Sequence, residues 1–246
     1  MVSRFLAYLI LLCWMPISFA STFQLVEVSE LPIYAIESTE PRANLVAIIG
    51  GKGLRNGEGR SKNFLVREAE TFNELGFNVY LFPNSSKDEN ASYSLRVSSE
   101  RIDRVIALVN GVVSRNKAPI YIIGFSRGTI EAMLAAFSGH KDLAGVILLS
   151  GIYNKGKYSL PKLASNQKVS VPILVVHHRL DSCSVSPFLG AREFVDSLDW
   201  AQVALHVFDG GGSSGRECGP FHYHGFEGIE DSISETIRDW ILETKP

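Results

Sequence analysis

The sequence predicts an α/β fold with a mostly parallel central sheet and helices on both faces. Short, continuously apolar runs at residues 44–49, 77–82 and 143–149 are typical of strands covered on both faces. Segments with helical periodicity lie between these runs, and strands that alternate with helices form parallel sheets with right-handed crossovers. In such sheets we expect the functional site at the carboxyl ends of the strands.

The composition of the chain is that of one globular domain. Of its 246 residues, 46% are hydrophobic and 20% are charged, and we assign residues 21–246 to a single domain. The formal net charge of -2 gives no basis for binding nucleic acid or an acidic membrane surface. We therefore expect no nucleic acid partner.

The first 20 residues have the pattern of a secretory signal peptide. Arg4 supplies a positive charge, residues 5–14 form an apolar core, and Ser18 and Ala20 are the small residues expected before a cleavage site. The apolar core is short for the alternative of a membrane anchor. We expect cleavage before Ser21, a periplasmic or secreted protein, and no membrane span once the peptide is removed.

The first half of the domain predicts a hairpin, two buried strands and two helices. Apolar and polar residues alternate around Pro32, which is typical of an edge hairpin. Gly76 is a helix stop, and Ser98 or Ser99 can cap the second helix. In order, the predicted elements are hairpin strands at 22–28 and 31–36, a strand at 44–49, a helix at 61–75, a strand at 77–82 and a helix ending near residue 114.

The second half predicts strands and helices arranged around a sharp turn. Residues 152–170 are polar and form an excursion too short for a large lid, so we expect an open pocket bordered by Tyr153 and Tyr158. In order, the predicted elements are a strand at 120–123, a helix at 129–137, strands at 143–149 and 172–176, a helix at 187–198, a strand at 202–208 and a helix at 228–242.

The sharp turn lies in residues 119–128, between a buried strand and a helix. It contains Gly124-Phe125-Ser126-Arg127-Gly128, a G-x-S-x-G sequence. In this setting the pattern predicts a nucleophile elbow, in which a strained turn lifts the serine hydroxyl above the carboxyl edge of the sheet. Both glycines are required, because a Cβ atom at either position would collide where strand and helix pass closely.

Catalysis by a serine requires a base and an acid besides the nucleophile. The hydroxyl needs an adjacent imidazole to take its proton and a carboxylate to orient that imidazole. The chain provides Ser126, then Asp181 after a buried strand, then His222 and His224 after the last strand. This order, together with the elbow, resembles the α/β-hydrolase family. The resemblance extends from about residue 44 to the final helix and implies the α/β-hydrolase fold with a small lid or none.

The resemblance implies Ser126 as the nucleophile, Asp181 as the acid and His224 as the base. His224 is favoured over His222 because it precedes the last helix as the base of the family does. Asp181 is favoured over Asp209 because it follows the penultimate strand. Loop geometry decides between the two histidines, so both remain candidates at this point.

The resemblance also implies an oxyanion hole made of two backbone N–H groups. One belongs to Arg127, and the other comes from the turn after Ile49, from either Gly51 or Lys52. Glycines replace the His-Gly pair that is common in the family, but backbone donors require no particular side chain. The side chain of Arg127 is either a solvated charge, which we favour, or a contact for an anionic group of the substrate.

Two cysteines, Cys183 and Cys218, remain after removal of the signal peptide, and an even pair in an exported protein predicts a disulfide. They lie two residues after Asp181 and six residues before His224, so the bond would tie the acid loop to the base loop. An alternative is a zinc site made of the two cysteines with His222 and His224. An oxidising compartment disfavours free thiolates, so we expect the disulfide.

These observations predict an exported serine hydrolase that cleaves carboxylic esters through an acyl-enzyme. We expect a small-molecule ester or acyl substrate and no cofactor. Serine peptidases, thioesterases and acyltransferases use the same triad and differ in pocket shape, so they remain alternatives. A non-catalytic binding protein on the same fold is a further alternative, which the intact set of Ser126, Asp181 and His224 disfavours.

Overall fold

The computed structural model describes residues 23–54, 61–199 and 201–244. The predicted signal peptide at residues 1–20 lies outside the described residues. Across the described ranges, no helix combines the length and apolar character needed to cross a bilayer.

The centre of the fold is a mostly parallel sheet. Its strands are β1 (Gln24–Val28), β2 (Leu31–Ile36), β3 (Ala43–Ile48), β4 (Phe77–Leu81), β5 (Ile120–Phe125), β6 (Leu143–Leu149), β7 (Ile173–His178) and β8 (Val203–Phe208). They lie in the order β1-β2-β4-β3-β5-β6-β7-β8. β1 and β2 form the predicted antiparallel hairpin, β2 also pairs antiparallel with β4, and β3 to β8 run parallel.

Helices cover both faces of the sheet. They are α1 (Phe64–Arg67), α2 (Ala69–Glu74), α3 (Tyr93–Arg96), α4 (Ser99–Arg115), α5 (Gly128–Phe137), α6 (Leu160–Ala164), α7 (Phe188–Asp196) and α8 (Glu230–Thr244). Two short 3₁₀ turns at Gly156–Tyr158 and Tyr223–Gly225 complete the described elements.

Side chains of the central strands alternate between two apolar layers. In β3, Val46 and Ile48 face the layer formed with α4, α5 and α7, whereas Leu45 and Ala47 face the layer formed with α1, α2 and α8. Side chains of a strand point alternately to opposite faces, so a strand covered on both faces must be apolar throughout. This burial accounts for the continuous apolar runs in the sequence.

Two local predictions differ from the structure. The predicted helix at 61–75 is divided into α1 and α2 at Glu68, whose φ of -92° and ψ of 3° lie outside the helical region. Glu68 is buried, and its carboxylate lies 3.4 Å from the hydroxyl of Ser234 on α8. The four-residue helix α3 was not predicted, and the side chain of Ser92 caps it by accepting the N–H of Leu95.

Candidate active site

The carboxyl edge of the sheet collects the segments in which the candidate residues lie. Ser126 follows β5, Asp181 lies three residues after β7, and His224 lies in the loop between β8 and α8. The turn that begins at Gly50 follows β3. The parallel topology therefore brings to one edge residues that are far apart in sequence.

Ser126 lies on a strained turn between β5 and α5. Its φ of 53° is in the left-handed region, which a serine adopts at an energetic cost. A Cβ atom at Gly124 would lie 2.6 Å from the carbonyl oxygen of Gly128, and one at Gly128 would lie 2.1 Å from that of Ile48. Both flanking glycines are therefore needed on steric grounds, as the motif predicts.

A continuous hydrogen-bonded chain links Ser126, His224 and Asp181. His224 Nε2 lies 3.0 Å from Ser126 Oγ, and His224 Nδ1 lies 2.8 Å from Asp181 Oδ2. The other carboxylate oxygen of Asp181 accepts the backbone N–H of Cys183 at 2.9 Å. A carboxylate at Nδ1 keeps the proton there and leaves Nε2 free to accept the proton of the serine hydroxyl.

The alternative acid and base lie in other surroundings. Asp209 forms an exposed ion pair with Arg179, at 2.9 Å. The ring of His222 packs edge-on against Tyr223, and its buried Nδ1 has no hydrogen-bond partner among the described residues. The structure thus brings His224 and Asp181 together with Ser126 and places the two alternatives elsewhere.

A hydrogen bond, a ring contact and a left-handed residue define the position of the loop that carries His224. The Ser150 hydroxyl donates to the backbone carbonyl of His224 at 2.8 Å, and both residues are buried. The ring of Phe125 packs against the imidazole, with 5.4 Å between the ring centroids. Phe226, with a φ of 59°, ends the 3₁₀ turn in the left-handed conformation. The sequence carries no recognisable signal for the role of Ser150, since it lies beyond the elbow motif.

His177 is a buried neighbour of the acid. Its Nε2 lies 3.0 Å from the carbonyl oxygen of Ser186 and 3.4 Å from Asp181 Oδ2. Burial lowers the pKa of His177 from 6.5 to about 4, although the nearby Asp181 carboxylate acts in the opposite direction. The ring is therefore neutral at pH 7, with its N–H directed to the Ser186 carbonyl and close to the carboxylate.

The turn after β3 places the candidate oxyanion donors beside Ser126. The N–H of Gly53 donates to the carbonyl of Gly50 at 3.0 Å, and Gly51 has a φ of 59°. A Cβ atom at Gly50 would lie 2.7 Å from the carbonyl oxygen of Phe125, so this turn packs directly against the elbow. Gly51, Lys52 and Arg127 line the same cavity as Ser126. Both Gly51 and Lys52 therefore remain candidates for the second donor.

The side chain of Arg96 donates hydrogen bonds to the turn after β3, and the sequence analysis did not predict this role. Its Nη2 donates to the carbonyls of Ile49, at 2.9 Å, and Gly51, at 3.4 Å. Its Nη1 forms an ion pair with Glu131 of α5, and both side chains are fully buried. Glu131 also pairs with Arg101. An arginine is usually a surface residue, and no sequence pattern distinguishes Arg96 from the other arginines of the chain.

Cys183 and Cys218 are joined in a disulfide, which ties the segment of Asp181 to the loop that leads to His224. Donor atoms of Asp181, Cys183 and His224 lie within 4.8 Å of one another. A disulfide sulfur is not the thiolate that zinc requires, so neither this group nor the alternative zinc site of both cysteines with His222 and His224 fits zinc in this structure.

Ser126 opens into a cavity of about 910 Å³. The prediction that Tyr153 and Tyr158 border this pocket is wrong. Tyr93 of α3 lines the cavity, and Tyr158 stacks behind it with ring centroids 5.7 Å apart. Tyr153 is buried against His177 and Phe194. The difference arises because the unpredicted helix α3 lies at the mouth of the site.

Comparison with known proteins supports a hydrolase. The family model of phospholipases and carboxylesterases matches residues 77–214, more than half of the chain. Lysophospholipase-like protein 1 of Mus musculus is 30% identical over 89 residues, which is 34% of this chain and 37% of the mouse protein. The chain thus aligns with little more than a third of that relative.

Solved structures share the fold at low sequence identity. TT1662 from Thermus thermophilus superposes with a TM-score of 0.66 at 15% identity, covering 90% of this chain and 97% of that one. Est1E from Butyrivibrio proteoclasticus superposes with a TM-score of 0.61 at 16% identity, covering 91% of this chain and 99% of that one. An esterase from Pyrococcus furiosus superposes with a TM-score of 0.62 at 16% identity, covering 99% of this chain and 97% of that one. These likenesses confirm the predicted fold. The family model, which matches more than half of the chain, shows that the chain belongs to the phospholipase/carboxylesterase family of α/β-hydrolases.

Proposed function

We propose that the protein is an exported serine hydrolase that cleaves small carboxylic esters through an acyl-enzyme. The observation that carries this proposal is the chain of hydrogen bonds from Ser126 through His224 to Asp181, at 3.0 and 2.8 Å, beside an open cavity. The family match supports ester cleavage, since this family comprises phospholipases and carboxylesterases.

In the first half of the reaction, Ser126 Oγ attacks the carbonyl carbon of the ester. Its proton passes to His224 Nε2, and Asp181 stabilises the imidazolium that forms. The carbonyl oxygen becomes an oxyanion that accepts hydrogen bonds from the N–H of Arg127 and one N–H of the Gly51-Lys52 turn. The carbon–oxygen bond to the alcohol then breaks, and His224 returns its proton to the departing alkoxide.

In the second half, a water molecule attacks the acyl group on Ser126. His224 takes one proton from this water, and a second oxyanion forms in the same hole. The bond between the acyl carbon and Ser126 Oγ breaks, and His224 gives the proton back to the serine. The products are the carboxylic acid, the alcohol and the free enzyme.

Export to the periplasm or beyond the cell is part of this proposal. The pattern of residues 1–20 supports it, and so does the disulfide between Cys183 and Cys218, which is stable in oxidising compartments. The mass of the protein recovered from the periplasm or medium tests whether the chain is exported and its signal peptide removed. We expect a chain that begins at Ser21, and recovery of the full-length chain in the cytoplasm would contradict it.

A matched substrate panel tests the reaction. The ester, thioester and amide of one short acyl group are compared with the wild-type protein and with Ser126→Ala. We expect the ester to have the largest kcat/KM, and we expect Ser126→Ala to lower kcat by about a thousandfold or more. Equal hydrolysis by the variant would contradict the proposal, and preference for the amide or thioester would favour the alternative reaction classes.

A further inference from the structure

The charged side chains that line the cavity beside Ser126 are mostly positive. Among the described residues that line it, one carries a carboxylate, Glu217, and five carry a positive charge: Lys52, Lys62, Arg127, Lys155 and Arg216. No carboxylate of the described chain lies within ion-pair distance of any of the five. A concave site with an excess of one sign of charge attracts a ligand of the opposite sign.

Two of these charges lie within cation–π distance of the same aromatic ring. The guanidinium of Arg127 lies 4.5 Å from the ring centroid of Tyr93, and the ammonium of Lys155 lies 5.2 Å from the same centroid. Tyr158 stacks on Tyr93 and so supports the ring. Two cations near one ring repel each other, and the ring offsets part of this repulsion. An anion bound between them would offset the rest.

The position of this pair relates it to the reaction. Arg127 directly follows Ser126, and its half-buried side chain lines the cavity into which the serine opens. Arginine presents several donors in one plane, which suits recognition of a carboxylate or phosphate. The charge of the ligand would therefore lie close to the ester bond that Ser126 attacks.

We infer that the natural substrate is an ester with a negative charge near the scissile bond, held by Arg127 and Lys155 over the ring of Tyr93. This inference names the substrate class of the proposed function and rests on it. The charge could lie on the acyl part or on the alcohol part, and the ligand chemistry is the same in both cases.

Paired esters that differ in one charge test the inference. For the acyl side, mono-para-nitrophenyl adipate, which has a free carboxylate, is compared with methyl para-nitrophenyl adipate, in which that carboxylate is methylated. For the alcohol side, para-acetoxybenzoate is compared with its methyl ester. We expect a kcat/KM about tenfold or more higher for the anionic member of at least one pair, and a decrease of this ratio at high salt.

Charge-removing variants connect the preference to these residues. In Lys155→Gln and Arg127→Gln we expect the anionic-to-neutral ratio to fall by about tenfold. Lys168→Gln removes an exposed charge that does not line the cavity and should leave the ratio unchanged. Wild-type ratios at or below one in both pairs would overturn the inference, and so would an unchanged ratio in both Lys155→Gln and Arg127→Gln.

Binding measurements distinguish a failure of the anion subsite from a failure of the proposed hydrolase activity. Calorimetry with Ser126→Ala measures the affinity for each intact ester. Tighter binding of an anionic member without turnover by the wild-type protein would contradict the serine hydrolase and support the anion subsite. Turnover of both members of each pair without preference would overturn the subsite and leave the hydrolase intact. Neither turnover nor binding of any ester would contradict both.

Discussion

The hydroxyl of Ser150 donates a hydrogen bond to the backbone carbonyl of His224 at 2.8 Å, and both residues are buried. Ser150 directly follows β6, which pairs with β5, and Ser126 directly follows β5. This bond links the sheet to the base loop, and so it fixes the height of the imidazole above the serine. Ser150 is therefore a positioning residue for His224.

Replacement of Ser150 by alanine should make the position of His224 less well defined and should leave the contacts with the substrate unchanged. The buried carbonyl of His224 loses its partner, so we expect the free energy of unfolding to fall by about 1–3 kcal/mol. A displaced base should lower kcat by about tenfold to a hundredfold, with KM little changed. Steady-state kinetics and denaturant unfolding measure the two effects.

Ser159→Ala is the matched control for Ser150→Ala. Ser159 is also buried, and its hydroxyl donates to a backbone carbonyl, that of Gly156, at 2.8 Å. The carbonyl of Gly156 also accepts the backbone N–H of Ser159 at 3.0 Å, so we expect a smaller loss of stability than in Ser150→Ala, and an unchanged kcat. Equal effects of the two substitutions on kcat would show that Ser150 acts through general stability alone.

Arg96 should support catalysis through the turn that carries the oxyanion donors. Arg96→Met removes the hydrogen bonds to Ile49 and Gly51 and leaves Glu131 with one arginine partner, Arg101. Breaking a buried ion pair costs about 3–5 kcal/mol, so we expect a large loss of stability together with a lower kcat. Urea unfolding and ester hydrolysis measure both quantities.

A double variant separates the two roles of Arg96. In Arg96→Met/Glu131→Met the carboxylate is gone as well, so part of the stability should return. The turn remains unsupported, so kcat should stay low. Recovery of kcat in parallel with stability would refute a role of Arg96 in the turn.

His177 should make the fold sensitive to acid. Burial lowers the pKa of its ring to about 4 in the folded protein, from an ordinary value of 6.5. Between these values the unfolded chain binds a proton that the folded chain does not, so stability falls as the pH falls from 6.5 to 4. A shift of this size corresponds to about 3 kcal/mol.

His177→Gln removes this titration and should flatten the decrease in stability over the same pH range. Unfolding free energies at pH 7, 5.5 and 4 measure the difference between the variant and the wild-type protein. His206→Gln, which changes an exposed ring, should retain the wild-type pH dependence. Parallel curves for wild type and His177→Gln would contradict the prediction.

The disulfide should stabilise the arrangement of acid and base. It closes a loop with a sequence separation of 35 residues, and the loop-entropy estimate for such a loop is about 3–4 kcal/mol. We expect a loss of this size in the double variant Cys183→Ser/Cys218→Ser. Reductant should destabilise the wild-type protein and leave the variant unaffected. Separate peptides containing Cys183 and Cys218 after digestion without reductant would show that the bond is absent.

Local sequence was sufficient to predict the parts of the site that depend on short-range sterics. A Cβ atom at Gly124 would collide with Gly128 inside the turn, and one at Gly128 would collide with Ile48 of β3, so the five residues of the motif carry both glycines. The alternation of apolar strands and helices then placed the acid and base segments at the same edge of the sheet. These features depend on periodicity and chain order.

The remaining features depend on contacts between distant segments. The pairing of His224 rather than His222 with Ser126 follows from a 3₁₀ turn whose geometry no local motif encodes. The turn at Glu68 occurs without proline or glycine, in a residue whose side chain packs against α8. The roles of Arg96 and Tyr93 arise from α3, four residues long, whose apolar pattern is too short to detect.

The most direct test of the account is the intact mass of the protein after exposure to a fluorophosphonate. The account predicts one covalent adduct on the wild-type protein, because His224 and Asp181 activate Ser126, and no adduct on Ser126→Ala. Circular dichroism of the same samples shows that both proteins are folded. A folded wild-type protein that forms no adduct, or an adduct that persists in Ser126→Ala, would contradict Ser126 as the nucleophile.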